Sequence, residues 1–402
     1  MVADAIPSNF SVDARTLTPL VQTLLADDKA ELRDWSCKRL PCFGVNPVTA
    51  GIYRFSGKAQ SGRGLKSWSF ILKIIHWFDL GGSGNGYLDS PQDWNYWKRE
   101  GEAHRCGILA NWRGGLVPIR CLAVAEPGSS AVWMWLEDLG EQDHDVWPIE
   151  RHILSAHHFG EFNGAHVGLT VSAETSAWLC HHYLRKWIAT LQTWGLNQTL
   201  ADPNFWATRH ARLALAPGTD VRIRRLMENA NALCNLLERQ PQTLSHQDGQ
   251  RANLFATGSP LTSLTTTAID WSFLGFAAVG EDLGTQIGGN LFKLFVEPAD
   301  VKHYLHSATE AYIAGLTQSG WRGNPDSVRF ACATAASLRY VPFGVMWLQG
   351  CMQAQARGEI SGLDNVAAER GLSTEEALKR WGAAMSTLLD LADEATRLAG
   401  RL

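Results

Sequence analysis

The sequence predicts an α+β protein in two lobes, a small antiparallel β-rich N-lobe and a larger, mainly helical C-lobe. Three observations predict it. In the first 138 residues, short runs rich in β-branched and aromatic residues are separated by Gly/Ser turns. Beyond them the apolar residues recur mainly at helical spacing. One pair of short strand-like runs, at 253–256 and 264–270, interrupts the helical part.

Residues 1–35 read as a helical entry, with Leu17, Leu20, Val21, Leu24 and Leu25 on one face. Gly51–Gly57 and Trp68–Trp77 read as strands, joined into a hairpin by the Gln60–Leu65 turn. Gly81–Gly86 is a glycine-rich loop without the G-x-x-x-x-G-K-[ST] order of a phosphate loop, so it reads as a linker or flap. Asp93–Leu109 reads as a helix. Val117–Ala125 and Ala131–Leu136 form a second hairpin around Pro127-Gly-Ser-Ser130. The boundary falls here, giving an N-lobe of 1–138 with a hinge at its end and a C-lobe of 139–402.

In the C-lobe, helices are expected over 148–166, 174–194 and 220–238, with Pro148 suited to a first turn. Further helices follow near 281–296, 298–319, 325–355 and 373–400, the last opened by a Ser373/Glu376 capping box. No internal repeat is found.

Bulk properties exclude some functions. The net charge of −4 and pI near 6.4 offer no basic excess to meet a nucleic acid. The N-terminus lacks a basic flank followed by an apolar core, and no run of about 18 uncharged apolar residues occurs. A soluble cytoplasmic protein without a membrane partner is the expectation. The eight cysteines include no C-x-x-C pair and read as buried reduced thiols. The 17 tryptophans, among them Trp68, Trp77, Trp94, Trp97, Trp133, Trp135 and Trp271, read as core packing, with an aromatic substrate wall as the alternative.

The chemistry concentrates in His246-Gln-Asp248-Gly-Gln-Arg-Ala-Asn253 and, 17 residues later, Ile269-Asp270-Trp271. An Asp, an Asn five positions on and a second Asp ending an apolar run suit phosphoryl transfer. Asp248 faces a substrate hydroxyl and takes or orients its proton. Asn253 and Asp270 supply oxygens to Mg²⁺ against the phosphates of ATP. A carboxylate at the end of an apolar run is costly unless it binds a cation or caps a turn, and a metal accounts best for Asp270. His246 is expected to fix the loop backbone. Lys73, between Ile71, Leu72, Ile74 and Ile75, needs a counter-charge. ATP phosphates and a helix carboxylate would provide it. Glu100 is the choice and Glu102 the rival, and they differ by about 200° around a helix. Backbone amides at 48–51 are candidate phosphate donors at the end of the Cys42–Arg54 segment. Glu137 and Leu139 mark the stretch that would offer backbone groups to adenine. The site is expected between the lobes.

With these residues in place, the chain resembles the aminoglycoside phosphotransferase/choline kinase-like family, which shares the protein-kinase-like fold. The resemblance covers roughly residues 40–320. It rests on His246-Gln-Asp248…Asn253, Ile269-Asp270-Trp271 and Gly280-Glu-Asp282-Leu-Gly. Lys73 and Glu100 match the family's ion pair in kind and order. The resemblance implies that Asp282 braces the catalytic loop. It also implies ATP or GTP, Mg²⁺ and transfer of the γ-phosphate to a hydroxyl of a small molecule. The chain departs from the family in having Gln247 where glycine is common and Gly249 where a bulkier residue is common. No arginine stands inside His-x-Asp and no A-P-E segment occurs, which argues against a protein kinase regulated on its activation loop. The loop at 80–90 and the tail at 360–402 have no obvious counterpart.

The expected function is therefore ATP- and Mg²⁺-dependent phosphorylation of an antibiotic, amino alcohol or sugar-like acceptor. The alternative is a nucleotide-binding pseudokinase without turnover. A polycationic acceptor would require carboxylates beside Asp248, for which Glu281, Glu297, Asp300 and Glu310 are candidates. Tyr304, Tyr312, Trp321, Arg329, Tyr340 and Trp347 are expected to shape the acceptor pocket.

Overall fold

The computed structural model describes residues 12–41, 48–77, 89–110, 112, 114–140, 147–257 and 264–402. The chain divides into two compact units. One comprises Met1–Pro91, Asn95–Asn111 and Pro118–Glu141, and the other Gln92–Trp94, Trp112–Val117 and Gln142–Leu402.

In the first unit, Asp13 accepts the Thr16 N–H and starts helix α1 (Ala14–Leu25). Strands β1 (Glu31–Leu40), β2 (Thr49–Ser61) and β3 (Gly64–His76) follow, then the short helix α2 (Arg99–Arg105). Strand β4 (Leu116–Pro118) pairs elsewhere, and β5 (Cys121–Ala125) and β6 (Ala131–Glu137) complete an antiparallel sheet in the order β1-β2-β3-β6-β5. The two-residue period of β3 sorts its side chains. Phe70, Leu72 and Ile74 are fully buried and join Leu17, Leu20 and Val21 of α1 in one core with Tyr53, Phe55 and Trp135. Lys73 lies on the opposite face.

Two expectations are corrected here. The entry segment is not helical to residue 35. Glu31–Leu40 is a ten-residue strand whose largely exposed, charged sequence carries no apolar alternation to reveal it. The helix expected over 93–109 is confined to Arg99–Arg105. The Gly81–Gly86 loop and the 42–47 part of the proposed phosphate-facing segment lie outside the described residues.

The second unit is built on α3 (Ile149–Ala165), α4 (Ala173–Trp178), β7 (Cys180–His181), α5 (Tyr183–Thr193) and the short helices α6 (Leu196–Ala201), α7 (Pro203–Ala207) and α8 (Arg209–Ala214). Then come α9 (Thr219–Leu237), β8 (Gln242–Ser245), a 3₁₀ turn at Arg251–Asn253, β9 (Leu254–Thr257), β10 (Thr265–Ala268) and β11 (Gly275–Ala278). The helices α10 (Glu281–Phe292), α11 (Val301–Gln318), α12 (Pro325–Ala356), α13 (Gly362–Glu369) and α14 (Thr374–Ala399) close the chain. Two three-stranded sheets, β4-β10-β9 and β7-β11-β8, frame the segment 246–274.

The single helix expected over 174–194 is broken, because Cys180 and His181 pair with Gly275 and Phe276. A Cβ on Gly275 would lie 1.9 Å from the Cys180 carbonyl oxygen, so only glycine admits this pairing. Ser373 caps α14 through the Glu376 N–H, but the Glu376 carboxylate turns to Arg380 instead of closing the box. A complete capping box stands at Ser361/Asp364. The tryptophans pack as core: Trp68, Trp94, Trp97, Trp133, Trp135 and Trp271 are buried, and Trp77 stacks on Trp97. No helix among the described residues is long and apolar enough to cross a membrane.

Glu281 opens α10 buried, accepting the Ala278 N–H at 2.6 Å. Burial pushes its carboxyl up to about 8. The folded state therefore keeps Glu281 protonated while the unfolded chain ionises it. That contribution is present below the ordinary carboxylate range and is lost as pH rises toward about 8. Glu281→Gln, which keeps the acceptor, should flatten the fall in stability between about pH 5 and about pH 8, by up to about 1.4 kcal/mol per pH unit. Denaturation curves of both proteins across that range check this, and parallel pH profiles would contradict it.

Candidate active site

The segment after β8 is held from beneath by Asp282, the second residue of α10. Its carboxylate accepts the backbone N–H groups of His246 (3.0 Å) and Gln247 (2.7 Å) and the Asn163 side-chain amide (2.9 Å). Asp282 is fully buried, and burial raises its pKa against the pull of these donors. Asn163, a residue the sequence did not single out, also donates to the Leu244 carbonyl and accepts the Tyr312 hydroxyl at 2.6 Å.

His246 is buried between the rings of Trp271, 4.4 Å away, and Phe159, 6.2 Å away. Its Nδ1 accepts the Asp248 N–H at 3.1 Å, and its Nε2 donates to the Ile269 carbonyl at 2.9 Å. These two bonds require the Nε2–H tautomer. The ring therefore ties the residue before Asp270 to the backbone of Asp248. The Ile269 N–H bonds the Asn253 carbonyl at 3.0 Å, next to the Ala268–Leu254 pair that ends the β9–β10 hairpin. Asp248, Asn253 and Asp270 thus emerge together at one end of that hairpin.

The Asn253 amide donates to the Asp248 backbone oxygen (3.0 Å) and to its Oδ2 (2.8 Å). Both amide protons are thereby used, and the Asn253 Oδ1 remains as an acceptor. Asp270 adopts φ +60°, a left-handed conformation that Asp tolerates better than most residues, and its Oδ1 accepts the Ser272 hydroxyl at 2.8 Å. A carbonyl oxygen and a carboxylate are hard donors of the type Mg²⁺ takes alongside phosphate oxygens. Among the described residues no cluster of three or more His, Cys, Asp or Glu forms a ready metal cage.

Both departures from the family pattern have structural reasons. Gln247 stands at φ +62°, where glycine would be free of strain. Its side chain offsets part of that strain by donating to the Phe273 carbonyl at 3.0 Å. At Gly249, a Cβ would come within 2.5 Å of the Phe159 ring, so Phe159 occupies the space of a larger side chain.

The residue that sequence reasoning missed is Arg339, on α12. Its Nη2 donates to Asp248 Oδ1 at 2.7 Å, and its Nη1 donates to the Gln247 carbonyl. The guanidinium lies 4.8 Å from the centre of the Tyr183 ring, which helps to hold its plane. Arg339 is the one charged residue between Arg329 and Arg357, and a lone charge in an apolar helix is a signal that it has a partner.

In the first unit, Lys73 Nζ bonds Glu100 Oε2 at 2.5 Å, with both residues buried. Glu102 pairs with Arg105 instead. The Glu137 carboxylate accepts the Arg120 N–H at 2.8 Å, and Leu139 is partly exposed. Between them, Asp138 fastens the end of β6 through Arg54, Ser69 and the Gly140 N–H.

The expected acceptor residues are largely structural. Tyr304 and Tyr312 are fully buried: the Tyr304 hydroxyl accepts the Asn290 amide, and Tyr312 bonds Asn163 and the Gly280 N–H. Arg329 pairs with Glu310, and Trp347 packs on Phe292 and Trp381. Tyr340 lies beside Arg339 and gives its hydroxyl to the Thr285 carbonyl. Of the carboxylates considered for a polycationic acceptor, Glu297 pairs with Arg380, Glu310 with Arg329, and Glu281 is buried.

No family model matches the sequence, and no curated protein matches it. Solved structures do. An aminoglycoside phosphotransferase from Alicyclobacillus acidocaldarius superposes with a TM-score of 0.52 at 13% identity, covering 94% of this chain and 96% of that one. A spectinomycin phosphotransferase bound to ADP and spectinomycin gives 0.49 at 12% identity, covering 96% of this chain and 100% of that one. An ethanolamine kinase from Plasmodium vivax gives 0.49 at 12% identity, covering 95% and 91%. The first of these carries the structural conclusion: the chain has the bilobal α+β fold of that aminoglycoside phosphotransferase.

Proposed function

We propose that this protein is a phosphotransferase that moves the γ-phosphate of ATP to a hydroxyl of a small molecule, with Mg²⁺ required. The observation that carries the reading is the junction described above. One imidazole and one backbone hydrogen bond bring Asp248, Asn253 and Asp270 to the same hairpin end, with the Asn253 Oδ1 left to ligate. The shared fold is compatible with it.

In this reading the acceptor hydroxyl oxygen attacks the γ-phosphorus, and the bond to the β,γ-bridging oxygen breaks. ADP leaves, and the hydroxyl proton passes to the Asp248 carboxylate and then to solvent. Arg339 on Oδ1 and Asn253 on Oδ2 fix the plane of that carboxylate, and each oxygen keeps a lone pair for the hydroxyl. Asn253 Oδ1 and Asp270 would hold the cation. Mg²⁺ there supplies charge neutralisation at the phosphate oxygens. Lys73, oriented by Glu100, serves the α/β-phosphates, and the backbone around Glu137–Leu139 serves the base. Asp282 and His246 keep the loop in shape.

The test is ADP release from ATP and Mg²⁺ over a panel of hydroxyl acceptors, with chelator controls. Cation-dependent phosphorylation of a member of the panel supports the proposal. Nucleotide binding without turnover on any member favours a pseudokinase.

A further inference from the structure

Helix α12 opens to solvent just past Arg339. Upstream, α10 packs along it through glycines. A Cβ on Gly284 would lie 2.4 Å from the Cys332 carbonyl oxygen, and one on Gly288 would lie 2.4 Å from the Tyr340 ring. Every residue of 330–342 is buried. α10 ends at Phe292, whose ring meets Phe343 at 5.5 Å and Trp347 at 5.2 Å. Beyond that point Phe343, Met346 and Trp347 are half-buried and Gly350 is exposed. At about 100° per residue, Phe343, Met346 and Gly350 lie within roughly 40° of Arg339 around the helix axis, and Trp347 within roughly 80°. The open face of α12 is thus the face that carries Arg339 to Asp248.

Helix α5 flanks the same face. Trp187 Nε1 donates to the Arg339 carbonyl at 3.0 Å, and the Trp187 ring lies 5.5 Å from Phe343 and 5.8 Å from Trp194. Trp194, which follows α5, is 41% exposed. Contiguous apolar side chains left open on a protein surface mark a place that another apolar surface covers. Charge decides what covers this one. Between Arg329 and Arg357, α12 carries no charge except Arg339, a cation. Its guanidinium already takes up the rings of Tyr183, Phe273 and Tyr340, at 4.8, 5.7 and 5.4 Å. Asp248 is held by that guanidinium, Glu297 by Arg380 and Glu310 by Arg329. A cationic acceptor would meet a like charge here, with none of these carboxylates left for it. An uncharged apolar body would instead leave water for Phe343, Met346 and Trp347.

We propose that the acceptor is an alcohol with an uncharged apolar body, which lies along α12 over Phe343, Met346 and Trp347 while its hydroxyl meets Asp248. This rests on the phosphotransferase reading and narrows it, against the expectation of an aminoglycoside or amino alcohol. Phe343 and Met346 are then the residues that set acceptor specificity. Phe343 stands four residues from Arg339, about 6 Å along the axis, so a short chain between hydroxyl and ring spans the gap.

Calorimetric titrations on the full chain, with Mg²⁺ and ADP saturating, provide the test. The probes are 4-phenylbutan-1-ol, butane-1,4-diol and 4-aminobutan-1-ol, which share a hydroxyl on a butyl chain and differ at the far end. The phenyl compound should bind about 10- to 100-fold more tightly than the diol. The amino compound should bind no more tightly than the diol. Phe343→Ala and Met346→Ala, prepared separately so that one misfolded variant does not decide the matter, should each reduce the phenyl preference by about three- to tenfold. ADP titration of each variant shows that it is folded. Binding of the diol or the amino compound as tight as that of the phenyl compound, no binding of the phenyl compound, or a phenyl preference that survives both substitutions overturns the proposal. Failure of the wild type to bind ADP and Mg²⁺ would instead remove the phosphotransferase reading itself.

Discussion

Asp248→Ala should lower ATP-dependent phosphorylation by about 10²- to 10⁴-fold and leave ADP binding in Mg²⁺ within about threefold of wild type. In the proposed reaction the carboxylate meets the acceptor hydroxyl. It is held by Arg339 on one oxygen and Asn253 on the other, and its removal takes away both the proton acceptor and the partner of a buried guanidinium. A thermal melt alongside the kinetics separates loss of chemistry from loss of fold. Turnover within about threefold of wild type, in a protein that melts normally, would show that Asp248 does not act on the acceptor.

The second large effect is on stability. Asp282→Ala leaves the amide groups of His246, Gln247 and Asn163 without their acceptor in a fully buried position. Each buried donor left unmet costs about 1–3 kcal/mol. The denaturation midpoint should fall accordingly. Turnover should fall too, because the His246–Gln247 backbone that aims Asp248 loses its anchor. Asp282→Asn, which offers one acceptor oxygen in place of two, should lie between the two proteins. A midpoint shift below about 1 kcal/mol for the alanine variant would show that the brace is not what holds the loop.

Lone charges in apolar runs were the most legible part of the sequence. Lys73 in its strand required a buried partner, and Glu100 is that partner. The same argument applied to Arg339, alone in a long apolar helix, and would have found the cation on Asp248. It was missed because loop motifs draw attention to residues near in sequence, and Arg339 comes from 91 positions away. Asp248, Asn253 and Asp270 could be read as a set from their types and spacing. Asp282 could not: a buried carboxylate after a glycine looks like any helix start, and only the family resemblance gave it a role. Elements governed by tertiary pairing were the least legible. Glu31–Leu40 is a strand because it pairs with β2, while Cys180–His181 interrupts a helical pattern to meet β11. The tyrosines of α11 looked like pocket residues by composition, yet the Tyr312 hydroxyl fastens Asn163 beneath the loop.

The most direct measurement is calorimetric titration of ADP into wild type, Lys73→Met and Asp270→Ala, each with and without Mg²⁺. Wild type should bind ADP more tightly when the cation is present, by at least about tenfold, a gain of about 1.4 kcal/mol. Asp270→Ala should lose that gain and keep the cation-independent affinity. Lys73→Met should weaken binding under both conditions. If wild type binds no nucleotide, or if Asp270→Ala keeps the full effect of Mg²⁺, then this end of the β9–β10 hairpin is not a phosphoryl-transfer site.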